Sequence, residues 1–228
     1  MCGRFAFHSP HETVVQLFAL PREAPEIAPR WNIAPTADVP AVRIASDGRR
    51  ELVSLHWGLV PSWAKDRAIG QRMINARGAT LLEKPAFRSA FRRRRCLVLA
   101  DGYYEWRAVT GGKQPYYVHA ASGLPFGMAA LWETWRDLED GEPLESCVIV
   151  TRESSGVVQE IHARMPAIIA PEAYAAWLDP ANEDVAALAA LLTGEPAVAL
   201  RAHPVSRRVN SPRNEGAELV APVTGTTG

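Results

Sequence analysis

A succession of short apolar runs fills the middle of the chain and constrains its fold more than any other feature. Residues 96–100, 116–119, 126–131 and 146–151 are four to six residues long and rich in aliphatic or aromatic side chains. Turn formers such as Gly111-Gly112 and Ser122-Gly123 separate them. Runs of this length between such breaks read as strands and are too short for core helices. Residues 39–44 and 52–57 read as a further hairpin around Ser46-Asp47-Gly48. Helical signals lie towards the two ends. Ser9-Pro10-His11-Glu12 offers a capping Ser, a Pro at the first helical position and a Glu three residues after the cap. Val14, Val15, Leu17 and Phe18 supply an apolar face, and Pro21 ends it. Residues 155–161, 171–178 and 182–192 read as later helices. The order predicts an α+β fold with a mostly antiparallel sheet rather than regular βαβ alternation.

The 228 residues favour one compact domain, and no Ser/Gly linker divides them. The expected domain covers 1–223, and Thr224-Gly-Thr-Thr-Gly228 reads as a frayed tail. No apolar run approaches the ~18–20 residues of a membrane span, and no apolar h-region follows Met1. A cytoplasmic protein without membrane contact is expected. Three cysteines with no C-x-x-C pair suit a reducing compartment, and Cys96 and Cys147 lie inside apolar runs as core residues do. His8 and His11 stand three apart without a Cys or carboxylate cluster, so no metal is expected, and no P-loop or G-x-G-x-x-G points to a cofactor.

Net charge is zero but unevenly spread. Residues 61–110 hold eleven Lys/Arg against four acids, a net of +7, and residues 133–195 hold thirteen acids against three Arg, a net of −10. Such a chain can bind a polyanion on one side, although charge runs are usually solvated faces. Trp57-Gly58-Leu59-Val60-Pro61-Ser62-Trp63 borders the basic stretch. Aromatic rings beside arginines suit single-stranded nucleic acid, as stacking platforms next to phosphate anchors. Trp57 reads as core; Trp63, followed by Ala-Lys-Asp, reads as exposed.

Cys2 is the most informative position. A small second residue permits removal of Met1, leaving a terminal cysteine. Its α-amine, with a pKa of ~7.7–8.0, then sits beside a thiol of ~8.5. Such a 1,2-aminothiol condenses with an aldehyde to a Schiff base, which the sulfur closes to a thiazolidine. The same terminus could serve an N-terminal thiol hydrolase, and a small second residue is also common for ordinary reasons. Glu105, in Asp101-Gly102-Tyr103-Tyr104-Glu105-Trp106, is flanked by rings; it is either a desolvated general acid/base or a carboxylate facing water. His162 and Arg164, two apart, would share a face if extended, one to move protons and one to hold phosphate. Asn75-Ala76-Arg77 repeats that polar-x-Arg pattern.

Together these residues resemble the SRAP (SOS-response-associated peptidase-like) family of abasic-site processing proteins. The matching pieces are Met1-Cys2-Gly3-Arg4-Phe5, Trp31-Asn32-Ile33-Ala34-Pro35-Thr36, Trp57-Gly58-Leu59-Val60-Pro61, Ile74-Asn75-Ala76-Arg77, Ala100-Asp101-Gly102-Tyr103-Tyr104-Glu105-Trp106, Ile161-His162-Ala163-Arg164-Met165-Pro166 and His203-Pro204-Val205-Ser206. They run in the family's order across nearly the whole chain. The resemblance implies a barrel-like β core flanked by helices and an enzyme, monomeric and nucleoid-associated on damaged DNA, that crosslinks to abasic sites in single-stranded DNA. It implies Cys2 as nucleophile with Asn75, Glu105 and His162 completing the site. It also implies Arg4, Arg77 and Arg164 as phosphate contacts, Trp63 as the stacking residue, and lyase and crosslink-reversal activities. A thiol peptidase acting through Cys2 and a non-covalent single-strand binding module are the alternatives. Two positions depart from the family pattern: Ala79 stands where an acid is common, and Ala64 where members show a second Trp.

Overall fold

The computed structural model describes residues 2–137, 141–194 and 198–223; Met1 and the expected tail 224–228 lie outside the described residues. In chain order the elements are β1 (Phe5–Phe7), α1 (His11–Leu17), β2 (Arg30–Ile33), β3 (Asp38–Ile44), β4 (Arg50–Trp57), β5 (Asn75–Arg77), α2 (Pro85–Arg93), β6 (Arg95–Ala100), β7 (Gly102–Val109), β8 (Gly112–Ala120), β9 (Phe126–Arg136), β10 (Pro143–Glu153), β11 (Arg164–Pro166), β12 (Ile168–Ile169), α3 (Tyr174–Leu178), α4 (Val185–Ala190) and β13 (Leu200–Pro204).

Five strands close on themselves in the order β10, β4, β3, β6, β9, with β9 pairing back onto β10. The expected α+β fold with a barrel-like core is therefore the observed one. Closure removes the sheet edges that an open sheet would leave unpaired. All pairings in this ring are antiparallel except β10 with β4. β6 is buried at every position. That is why its sequence reads as a continuous apolar run: one face fills the barrel and the other lies under helices. Trp177 of α3 donates from Nε1 to the Cys96 carbonyl at 2.9 Å and tilts against Phe91 of α2. Cys96 and Cys147 are fully buried, as their apolar settings predict.

A second sheet runs β13, β8, β7, β1, β2. The β7–β8 hairpin turns at Gly111 and Gly112, both with positive φ. Beyond its pairing with β4, β10 receives β5 in parallel at residues 149–151 and β11 antiparallel at 151–153. This strand thus carries two short neighbours at one end of the barrel, where the candidate site lies.

The local expectations hold unevenly. The 39–44/52–57 hairpin forms with Val39 opposite Leu55. α1 forms but is not capped as predicted: Pro10, not Ser9, is the N-cap, and it makes no side-chain capping bond. The Ser9 hydroxyl is drawn instead to the buried Asp101 carboxylate, which also accepts from the backbone N–H groups of His8 and Ser9. Asp101 thereby satisfies donors that a capping Ser would have left to water. The helix stops at Leu17, before Ala19 takes a positive φ of 50°. Residues 155–161 hold a 3₁₀ turn, Gly156–Glu160, rather than an α-helix, and 171–178 begin in another, Pro171–Ala173.

Arg95 is the least predictable part of the core. It is 2% exposed, and its guanidinium donates to the carbonyls of Trp177, Phe91, Arg92, Asp179 and Asn182. One side chain therefore ties the end of α2 to the end of α3. Arg95→Met will strand several of these acceptors and lower stability by about 3 kcal/mol, since each buried acceptor left unmade costs roughly 1–3 kcal/mol. A lowered urea midpoint at unchanged slope is the measurement.

Candidate active site

β1 delivers the N-terminus to this end of the barrel. Phe5 lies opposite Tyr103 of β7, and the Tyr104 N–H donates to the Arg4 carbonyl at 2.9 Å. Continuing that antiparallel register runs residues 2 and 3 alongside Glu105. From the other side comes Asn75, the first residue of β5, whose Nδ2 donates to the Cys2 carbonyl at 2.7 Å. His162 follows the 3₁₀ turn Gly156–Glu160; its Nδ1 stands 4.0 Å from Glu105 Oε1 and 3.0 Å from both the backbone nitrogen and the carbonyl oxygen of Arg164. Cys2, Asn75, Glu105 and His162, separated by up to 160 residues, are gathered into one site.

Burial sets the electrostatics. Cys2 is fully buried, which pushes its thiol well above the ordinary cysteine range; the negative charge of Glu105 pushes it the same way. Glu105 is 2% exposed, so of its two readings the desolvated one is realised. Desolvation raises its carboxyl pKa, and the nearby His162 opposes the rise. A carboxyl moved towards neutrality is suited to give and take protons there.

The cations divide into two groups. Arg77 ends β5 and Arg164 begins β11, so the two flank β10. Both line an open groove of about 650 Å³ with Thr80, Thr151, Ser154 and Gln159. Burial, and next the like charge of Arg77, lower the pKa of Arg164. Two guanidiniums that repel each other across a groove favour an anion between them. Thr151 braces this arrangement: its hydroxyl donates to the Ala76 carbonyl at 3.2 Å and accepts from Arg164. Arg4 is placed differently. Its NH1 donates to Asn32 Oδ1 and to the Val209 carbonyl, both at 2.7 Å. Asn32, 1% exposed, passes the connection on to the carbonyls of Ser211 and Asn214. At least one arm of Arg4 thus fastens the C-terminal segment to β1 and β2.

Trp57 is fully buried, edge-on to Phe5, with Nε1 donating to the Ile74 carbonyl. Trp63 is 60% exposed. Its loop is anchored on both sides. Ala64 packs with Val60 and Trp135, and Trp135 Nε1 donates to the Ala64 carbonyl at 2.7 Å. The filled space around Ala64 also explains the departure at this position, since a second Trp would need Val60 or Trp135 to move. Gly58 and Gly70 bring the two ends of the loop together: a Cβ on Gly58 would stand 2.8 Å from the Gly70 carbonyl oxygen, and Gly58 has a φ of +145°.

Sequence reasoning missed Thr151, whose polar side chain at the end of an apolar run was the available signal. It gave Asn32 and Tyr103 no individual role.

A sequence model of the family described as SOS response associated peptidase (SRAP) matches residues 1–212. "Abasic site processing protein YoaM" of Bacillus subtilis is 39% identical over 96% of this chain and 97% of its own length. "Abasic site processing protein YedK" of Escherichia coli is 33% identical over 98% of this chain and 100% of its own. A crystal structure of a Bacteroides thetaiotaomicron protein superposes with a TM-score of 0.86 at 26% identity, covering 98% of this chain and 100% of that one. With the family's pattern running from the N-terminus to Pro212, this chain belongs to the SRAP family.

Proposed function

We propose that this protein processes abasic sites in single-stranded DNA by capturing the ring-opened sugar on its mature N-terminal cysteine, Cys2. The convergence of Asn75, Glu105 and His162 on Cys2, beside the Arg77–Arg164 groove, carries the reading. The names of the curated relatives support it.

After removal of Met1, the sequence of steps is as follows. Glu105 in its acid form protonates the ring oxygen of the abasic sugar, and the ring opens to an aldehyde. The Cys2 amine adds to that carbonyl, and loss of water leaves an iminium. The Cys2 sulfur then bonds to the iminium carbon, the C=N π pair returns to nitrogen, and the thiol proton passes to Glu105. The product is a thiazolidine. Asn75 holds the Cys2 backbone by its carbonyl, which fixes amine and thiol relative to the incoming aldehyde. The His162 Nδ1 lies 3.0 Å from both the amide nitrogen and the carbonyl oxygen of Arg164, which orients the ring, and the Nε2–H tautomer or the imidazolium can donate to the sugar oxygen. Sulfur capture removes the electron sink on which β-elimination depends. The strand stays intact, and slow capture would instead yield lyase products. Protonation of the thiazolidine by Glu105 would reverse the crosslink.

Arg77 and Arg164 hold phosphates flanking the lesion, and Trp63 stacks on a base. Arg77→Ala will weaken binding to a single strand and reduce the slope of log K against log salt by about 0.7, the value of one phosphate contact on single strands. Affinity measured at several salt concentrations checks this; an unchanged slope would make Arg77 structural.

Intact mass spectrometry of the purified protein, with and without an abasic oligonucleotide, tests the whole reading. The expected masses are the chain without Met1 and that chain plus the oligonucleotide less one water. A protein lacking Met1 that binds abasic strands but gives no adduct under denaturing conditions would leave a non-covalent module. Peptide hydrolysis that survives Cys2→Ser, without an adduct, would point to the peptidase.

A further inference from the structure

Several buried polar atoms of the fold have no hydrogen-bond partner among the described residues. Asn75 Oδ1, Arg164 Nε and the Tyr103 hydroxyl are all shielded from solvent and hydrogen-bonded to nothing among the described residues. Asn75 and Arg164 already have parts in the chemistry above. Tyr103 has none, although its side chain is wholly buried. A buried hydroxyl with no protein partner is a donor left free to meet a group that enters or forms in the site.

Its position indicates that partner. Tyr103 and Glu105 are two apart on β7 and project from the same face of the strand. Tyr103 pairs with Phe5 across the β1–β7 ladder, three residues from Cys2. Tyr104, one residue on, packs on the opposite face of the sheet with Ala6 and Val209. After burial, the charge that most strongly opposes ionisation of the Tyr103 phenol is that of a Cys2 thiolate, ahead of Glu105. The phenol therefore stays protonated, as a donor must.

We infer that Tyr103 is a further residue of the active site, its O–H donating a hydrogen bond to the Cys2 sulfur as that sulfur sheds its proton and closes the thiazolidine. This rests on the proposed capture chemistry. No proton leaves the tyrosine. The thiol proton goes to Glu105, the S–C bond forms, and the iminium π pair moves to nitrogen, while the phenol lowers the energy of the developing thiolate in a site where burial opposes it.

Tyr103→Phe in the mature full-length protein tests this, because it removes the hydroxyl and keeps the ring. Thermal stability should be unchanged or higher, since the lost group satisfied nothing. Borohydride trapping of the Schiff base should proceed at the wild-type rate. Formation of the borohydride-resistant thiazolidine should slow about tenfold, and its pH midpoint should rise by about one unit, which corresponds to tenfold less thiolate. The pH dependence of Cys2 alkylation by iodoacetamide, followed on the N-terminal peptide, should shift by the same amount. Equal closure rates and equal pH midpoints in the two proteins would overturn the inference, as would slower closure without a pH shift, which packing alone could produce. If wild type gave no crosslink, the capture reading would fall, and the alkylation profile, which needs no DNA, would still decide whether Tyr103 contacts the thiol.

Discussion

A chain carrying one extra, uncleaved residue ahead of Cys2 will bind abasic single strands and leave them unmodified. The extra residue turns the α-amine into an amide, whose nitrogen lone pair is delocalised into the carbonyl and no longer attacks an aldehyde. The thiol remains, but a thiol alone gives a hemithioacetal that falls apart on denaturation. Covalent capture should therefore drop below detection, whereas an incomplete loss of nucleophilicity would only slow it. The groove of Arg77, Arg164 and Thr151 is built on β5, β10 and β11, and the extension replaces none of the side chains that line it. Salt-sensitive binding should consequently survive. A denaturing gel and a binding titration on the same preparation read the two properties separately. Crosslinking by the extended chain at the wild-type level would remove the amine from the mechanism and leave Cys2 as a simple thiol.

The strands of the barrel could be read from the sequence because closure buries them from both sides. β6 and the middle of β10 present uninterrupted apolar runs, and that signal needs no tertiary information. The short strands were invisible for the converse reason. β5, β11 and β12 have three, three and two residues and exist only because β10 and β9 offer them a partner. β7 carries the same lesson for the site. Its sequence left Glu105 open between solvent and interior, and the pairing of β7 with β1, a contact between segments about 100 residues apart, buries it. α2 escaped notice because its arginines hide a narrow apolar stripe of Ala90 and Phe91. Arg4 shows the limit of motif reasoning. Its neighbours in sequence place it beside Cys2, and no sequence pattern shows that Asn32 and the Val209 carbonyl, 28 and 205 residues away, hold one arm of its guanidinium.

Glu105→Gln will separate the chemistry from the fold, because the same burial that serves the one works against the other. The amide can neither protonate the ring oxygen nor accept the thiol proton, so crosslinking should slow by about 10²- to 10⁴-fold, the usual contribution of a general acid/base. Stability should move the opposite way. The folded state raises the Glu105 pKa, mainly through desolvation. The folded chain therefore holds its proton more tightly than the unfolded one. Any stabilisation from that proton is fully present below the unfolded carboxyl value of ~4.3 and is lost as pH rises through the higher folded value. Above its raised folded value wild type must carry a buried carboxylate, which His162 compensates only in part, whereas glutamine carries no charge at any pH. The variant should thus match or exceed wild-type stability at pH 7 and lose that advantage as pH falls towards 4. Melting temperatures of the two proteins across this range, set beside single-turnover crosslinking rates, make the comparison. A variant as fast as wild type would take Glu105 out of the proton transfers. One that was slower and also less stable at neutral pH would mean that its carboxylate is held by interactions stronger than the desolvation it suffers.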